Sequence, residues 1–208
     1  MNHIYVFSGP CGCGKSTLSE AYASHLVNQG EKLQVYVVHG DNFHAGFVET
    51  GRPVGPDHPH FLYWEQMLRF NWECILSVAR KALERKLDVV IDYVVEDELP
   101  LLVQLAEKMN ARLFYVVLTA SQEELKERLI RRGDSELVAR SLFLKSKLEQ
   151  MRENQPYLYD ISGKSVAEEI AGLDILRHEV AMESSFHKKP LLLLLEISMQ
   201  TCYAQHTY

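Results

Sequence analysis

Lys15 and Ser16 close the run Gly9-Pro10-Cys11-Gly12-Cys13-Gly14-Lys15-Ser16, which fits G-x-x-x-x-G-K-[ST] at every fixed position. Residues of these types at this spacing suit one task, the gripping of a polyphosphate. Glycines at 9, 12 and 14 let the backbone wrap phosphate oxygens with successive N–H groups. A helix opening at Lys15, with Thr17 in its first turn, adds its partial positive charge. Lys15 then reaches the β- and γ-phosphates of a nucleotide, and the Ser16 hydroxyl holds Mg²⁺. A glycine-rich turn that binds nothing is the bland alternative. The flanks argue against it. His3-Ile4-Tyr5-Val6-Phe7-Ser8 is β-branched and aromatic, and Thr17 to Asn28 spaces its apolar residues as a helix does. Strand, loop and helix in that order give the pattern its mechanism.

Two carboxylates follow apolar runs, where strands of an open α/β sheet present ligands at their carboxyl ends. Asp41 comes after Val35-Tyr36-Val37-Val38 and is the candidate general base, placed to take a hydroxyl proton from an acceptor. Asp92 ends Val89-Val90-Ile91. Two roles fit Asp92: a holder of Mg²⁺ or its water, or a cap of the strand. Arg128, Arg131, Arg132 and Arg140 can brace a transferring phosphoryl group through charge-assisted hydrogen bonds. Most charged residues on a helix are simply solvated, and Arg132 and Arg128 are the preferred pair. His44 is a candidate acceptor contact. Arg52 lies where an anionic acceptor would be met, although a loop arginine is ordinarily solvated. Histidines 39, 44, 58 and 60 match no common zinc spacing. Trp64 and Trp72, at helical spacing, are expected in the core. Cys11 and Cys13 are expected to fill a tight loop, since no second pair completes a metal motif.

The elements that must position these groups alternate strand and helix, which predicts a parallel, doubly wound sheet. Strands are expected over 3–8, 34–38, 88–92, 113–118 and 157–161. Helices are expected over 15–28, 60–85, 98–109, 122–132 and 135–153, with Asp97 as a possible cap of the third. A polar Gly/Pro-rich loop over 42–59 is longer than the usual connection and is expected to be functional. Ser121-Gln-Glu-Glu124 and Ser165-Val-Ala-Glu168 are capping boxes. Beyond Asp174 the pattern weakens, and 191–197 fits a strand or a short helix.

The chain has 208 residues, enough for one α/β domain with a buried core. Its net charge of −6 supplies no global basic field for nucleic acid. The longest apolar run, Leu191 to Leu195, is too short to span a bilayer. No secretory leader is expected, because the phosphate loop starts at residue 9. Cysteines in that loop predict a reducing, cytoplasmic home.

No N-K-x-D guanine-reading tetrapeptide occurs, and Asp160-Ile-Ser-Gly163 is expected to be a strand exit. Gly40-Asp41-Asn42-Phe43-His44 resembles the G-D-x-x-H segment of gluconate-type sugar kinases. Glu127-Arg128-Leu-Ile-Arg131-Arg132 resembles the E-R-L-x-x-R start of a kinase lid. Tyr157-Leu-Tyr-Asp160-Ile-Ser162 resembles the strand after that lid. Over about residues 3–172 the chain resembles the P-loop small-molecule and nucleoside-monophosphate kinase group, with chloramphenicol phosphotransferase and zeta-type toxins. The pattern between Asp41 and the long helix departs from gluconate kinases, so gluconate is a doubtful acceptor. The resemblance implies a three-layer P-loop NTPase fold of about five parallel strands. It also implies a helical lid around 128–152, ATP with Mg²⁺ and a small-molecule phosphate acceptor. It implies Lys15, Asp41, Arg132 and Arg128 as catalytic groups and His44, Arg52 and Arg140 at the acceptor. A kinase domain over 1–175 carries an extension over 176–208, in a monomer or homodimer. A slowly hydrolysing nucleotide switch is the alternative function, and it would need no acceptor base.

Overall fold

A computed structural model of the chain describes residues 1–47 and 62–186, with side chains to residue 178. Five parallel strands form one sheet: β1 (His3–Ser8), β2 (Val35–His39), β3 (Asp88–Asp92), β4 (Arg112–Thr119) and β5 (Leu158–Asp160), in the order β2-β3-β1-β4-β5. Their near-continuous apolar runs are the signature of strands covered on both faces. Alternate side chains go to opposite cores. Ile4, Val6, Val89, Ile91, Leu113, Tyr115 and Val117 meet one set of helices. Tyr5, Phe7, Val90, Phe114, Val116 and Leu118 meet the other.

The first face is covered by α3 (Trp64–Glu84) and α4 (Leu99–Met109), with Leu148 of α6 (Val138–Gln150). The second is covered by α1 (Lys15–Asn28), with Leu125 of α5 (Gln122–Arg132) and Leu173 of α7 (Val166–Phe186). A short helix, α2 (Asp41–Ala45), follows β2 directly. The connections leave β1 toward β2 and β3 on one side and toward β4 and β5 on the other. The loop after β1 thus lies where the strand order reverses, the crevice in which open α/β sheets bind ligands.

The expected elements hold, with local corrections. The polar segment expected from residue 42 begins instead as α2, because Asp41-Asn42-Phe43-His44-Ala45 contains no glycine or proline to stop it. Helix α3 starts at Trp64 rather than 60, where Gln66 accepts the Tyr63 backbone N–H at 2.9 Å and closes a capping box. Glu98, not Asp97, is the residue that precedes α4 at the cap position, and its carboxylate accepts the Glu96 and Asp97 N–H groups at 3.0 Å each. The helix expected over 135–153 divides into a 3₁₀ turn (Ser135–Leu137), α6 and a second 3₁₀ stretch (Arg152–Tyr157) that contains Pro156. Strand β5 shortens to Leu158–Asp160, and Ser162 caps its exit by donating to Asp160 from backbone and hydroxyl. Of the two predicted boxes, the second closes: Ser165 Oγ accepts the Glu168 N–H at 3.4 Å and the Glu168 carboxylate accepts the Ser165 N–H at 2.8 Å. At the first, Ser121 Oγ accepts the Glu124 N–H at 3.2 Å, but the Ser121 N–H goes to Ser162 Oγ, because Glu124 is taken by Arg128 and the Gly163 N–H. Helix α7 continues through residue 175 without a break, and Arg177 grips Glu31 through two contacts of 2.6 and 2.7 Å. The segment 191–197 lies outside the described residues. Among those described, no helix is long and apolar enough to cross a membrane.

Candidate active site

The phosphate loop spans the gap between β1 and α1, and its backbone needs glycine. Gly14 is the residue before α1 with φ +91°, in the left-handed region that side chains disfavour. Gly12 has φ +79°, and a Cβ there would sit 2.8 Å from Leu129 Cγ of α5. Helix α5 therefore presses on the loop from one side. From another, Ser141 of α6 donates its hydroxyl to the Cys11 carbonyl at 2.7 Å and is fully buried. Lys15 folds back to the Pro10 carbonyl at 3.0 Å. Burial, the largest single influence on its ammonium, opposes the charge, and the negative charges of Asp92 and Asp41 favour it. Ser16 and Thr17 are exposed in the first turn of α1. Burial pushes the Cys13 thiol up, so it stays protonated and packs, as the loop reading expects.

Asp92 and His39 are register partners at the carboxyl ends of β3 and β2. The buried Asp92 carboxylate meets His39 Nδ1 at 2.9 Å, and His39 Nε2 lies 3.5 Å from Glu20 Oε1. Next along the chain, Gly40 donates its N–H to the Asp92 carbonyl at 2.9 Å. Gly40 also lies flat on Tyr93, where a Cβ would come within 2.4 Å of the ring. That close approach fixes the first turn of α2 and aims Asp41 into the crevice. The Asp41 carboxylate is exposed, and its charge acts on both Lys15 and Tyr93. One turn on, His44 is half-buried, its ring edge-on to Trp64 at 5.1 Å.

The structure thus brings Lys15, Ser16, Asp92 and Asp41 to one edge of the sheet. Arg128 joins them, with one guanidinium nitrogen 3.3 Å from the Cys13 carbonyl and another 2.5 Å from Glu124. Arg132 instead pairs with Asp134 just past α5. Arg140 pairs with Glu96 at 2.8 Å, sharing that carboxylate with Lys147 at 2.8 Å. Arg52, His58 and His60 lie outside the described residues. Trp72 is buried as expected, but Trp64 is half exposed, because it opens α3 at the mouth of the crevice and not over the sheet.

Mg²⁺ keeps several waters and is typically bound by one or two carboxylates with substrate phosphates. The donor set fits that habit. Asp92 offers a carboxylate anchored through Oδ2 by His39, Ser16 offers a hydroxyl, and no cluster of three acidic, histidine or cysteine ligands occurs among the described residues.

Ser141 and His39 were not singled out as functional by sequence reasoning. Ser141 carried a readable signal: it stands on the buried stripe Ser141, Leu144 and Leu148, a polar residue where the helical period requires an apolar one. His39 had none, since its partner Asp92 is set by strand register.

A family model described as AAA domain matches residues 4–156. The guanylate kinase of Campylobacter jejuni strain RM1221 is 26% identical over 172 residues, covering 75% of this chain and 78% of its own length. Among solved structures, the Mycobacterium tuberculosis APS kinase in complex with AMPPNP and APS superimposes with a TM-score of 0.61 at 15% identity, covering 85% of this chain and 98% of its own. A gluconokinase from Sinorhizobium meliloti 1021 gives 0.53 at 20% identity, covering 88% and 97%. The fold is that of the P-loop small-molecule kinases, as the motifs predicted.

Proposed function

The chain belongs to the AAA domain family, and we propose that this member is an ATP-dependent phosphotransferase moving the γ-phosphoryl group to a hydroxyl or phosphate of a small molecule. One observation carries the reading. The exposed Asp41 carboxylate, at the carboxyl end of β2, shares its field with Lys15 of the phosphate loop. A base for the acceptor and a cation for the donor therefore face one crevice.

Phosphoryl transfer asks for positioning and charge neutralisation more than covalent help. The loop amides and Lys15 hold the β- and γ-phosphates. Ser16 and Asp92 are the residues that would hold Mg²⁺, which would offset the charge of the phosphates. His39 orients Asp92 through its Nδ1. Asp41 takes the proton of a hydroxyl acceptor as its oxygen attacks. Arg128 braces the phosphates from α5. Arg132 and Arg140, now paired with Asp134 and Glu96, are the mobile cations of a lid over 128–152 that closes on bound nucleotide. His44 and Arg52 are assigned to the acceptor. Thr17 follows Ser16 in the nucleotide-binding turn.

The guanylate kinase likeness supports a kinase over a switch, and an acceptor-side carboxylate has no task in a switch. The same reading takes residues 1–175 as the kinase domain and 176–208 as an extension, with Arg177 binding it to the core through Glu31. It takes the protein as a monomer or homodimer of the reducing cytoplasm, acting on neither nucleic acid nor membrane. The free Cys13 thiol supports the compartment.

Lys15→Ala tests the donor half. It should leave unfolding in the absence of nucleotide near that of wild type and abolish the thermal stabilisation that ATP with Mg²⁺ confers. Unchanged ATP affinity in this variant would remove the phosphate-loop assignment.

A further inference from the structure

His39 is the last residue of β2, and its surroundings hold it on three sides. The backbone is fixed first: His39 and Asp92 are register partners, and Gly40 donates its N–H to the Asp92 carbonyl at 2.9 Å. The side chains repeat that pairing, with His39 Nδ1 at 2.9 Å from Asp92 Oδ2. An ionised carboxylate only accepts, so Nδ1 is the donor. On its far side the ring faces α1, where Nε2 lies 3.5 Å from Glu20 Oε1. Glu20 follows Ser16 by one turn of α1, so the two share a face of that helix. His39 therefore ties the strand that carries Asp92 to the helix that carries Ser16.

The consequence falls on Asp92. Its side chain is 4% exposed, and one of its two oxygens is committed to His39. Among the described residues, no hydrogen bond or ion pair reaches the other, Oδ1. The carboxylate thus has one oxygen fixed and one to offer. Divalent cations differ in what they ask of such a group. Mg²⁺ is small, demands a near-octahedral shell and keeps several waters. Ca²⁺ takes a larger and looser set of oxygens and accepts a carboxylate through both of its oxygens at once. A carboxylate held through Oδ2 can give a metal, or a water on it, one oxygen and not two.

Resting on the kinase reading above, in which Ser16 and Asp92 would hold Mg²⁺, we propose that His39 is a positioning residue that sets the metal preference of the site. By occupying Asp92 Oδ2 it keeps the carboxylate a one-oxygen ligand, which suits Mg²⁺ and denies Ca²⁺ a two-oxygen grip. His39 acts only through Asp92 in this role. Loss of a hydrogen-bond partner behind a metal-holding group typically costs about 10–100-fold in metal affinity.

The affinity of the full chain for AMPPNP, measured by calorimetry in Mg²⁺, in Ca²⁺ and in EDTA, tests this without turnover. Mg²⁺ should strengthen wild-type binding over EDTA by more than Ca²⁺ does. His39→Leu frees Oδ2; it should lose about tenfold in affinity with Mg²⁺ and stay within about threefold with Ca²⁺, so that the preference collapses. His39→Asn puts its Nδ2 where Nδ1 stood and should return the preference to within about threefold of wild type. Binding in EDTA should agree within about threefold for all three proteins. Wild-type binding that both cations strengthen equally overturns the proposal, and so does a wild-type preference in His39→Leu. A loss in His39→Leu that is as large in EDTA also overturns it, because His39 would then be a structural support alone. Asp92→Asn separates this from the reading beneath it. If that variant keeps the wild-type response to Mg²⁺, Asp92 holds no metal, and the metal assignment of the kinase reading falls as well. If it loses that response while His39→Leu keeps it, only the role given to His39 is overturned.

Discussion

The fully buried Ser141 of α6 and the half-buried Cys11 of the phosphate loop are joined by a 2.7 Å hydrogen bond, hydroxyl to carbonyl. The loop must turn its amides toward phosphate, which leaves its carbonyls facing outward into the protein. Ser141 satisfies one of them and so braces the grip from behind. The same helix reaches the loop after β3 through Arg140 and Lys147, both on Glu96.

Ser141→Ala should therefore act on nucleotide as well as on the fold. Leaving the Cys11 carbonyl unpaired costs about 1–3 kcal/mol of stability. ATP affinity should fall along with it, while Ser141→Thr should recover part of both. Chemical denaturation and nucleotide titration of the two variants check this.

Much of this was legible beforehand. The phosphate loop, α1 and β3 match their expected bounds, because a fixed-spacing motif, a helical period and a continuous apolar run each carry their own signal. The α2 helix was not legible: five residues are too few for a period to show. The lid region divided because short 3₁₀ pieces carry no pattern. The His39–Asp92 pair belongs to strand register, which no single strand contains. Trp64 was misjudged for a related reason. Spacing places a residue on a helix face but does not say where the face runs past the sheet.

The lid arginine gives a kinetic test. Arg132→Ala should lower kcat more than it raises the KM for ATP, because its interaction strengthens as charge moves in the transition state. Limited proteolysis should cut near Gly133-Asp134-Ser135 in the free protein and slow when ATP and Mg²⁺ are added. Equal cleavage in both conditions would make α5 and α6 a fixed pair and move the catalytic arginine elsewhere.

The C-terminal half of α7 gives a pH test. The Arg177 hydrogen bonds hold the Glu31 carboxyl below its ordinary value, outweighing the smaller upward push of burial. A depressed carboxyl stabilises the fold above its unfolded pKa, and that contribution fades as pH falls through about 4.5 and below. Glu31 is partly exposed, so the contribution is modest, about 0.5–1 kcal/mol. Glu31→Gln should lower the melting temperature at pH 7, and the gap to wild type should narrow as pH falls below 4.5. A gap that stays constant over this range would show that the pair contributes nothing through charge.

The central claim is transfer of phosphate to an acceptor with Asp41 as base. Acceptor-dependent ADP release, measured over a panel of nucleosides, sugars, amino-sugar antibiotics and shikimate-like acids, tests it most directly. At least one compound should raise ADP release and be recovered phosphorylated in equal amount. With that compound, Asp41→Asn should bind ATP normally and lose about 10²–10⁴-fold in rate. ADP release that no compound alters, with free phosphate as the product, or an Asp41→Asn rate within about threefold of wild type, would contradict the account.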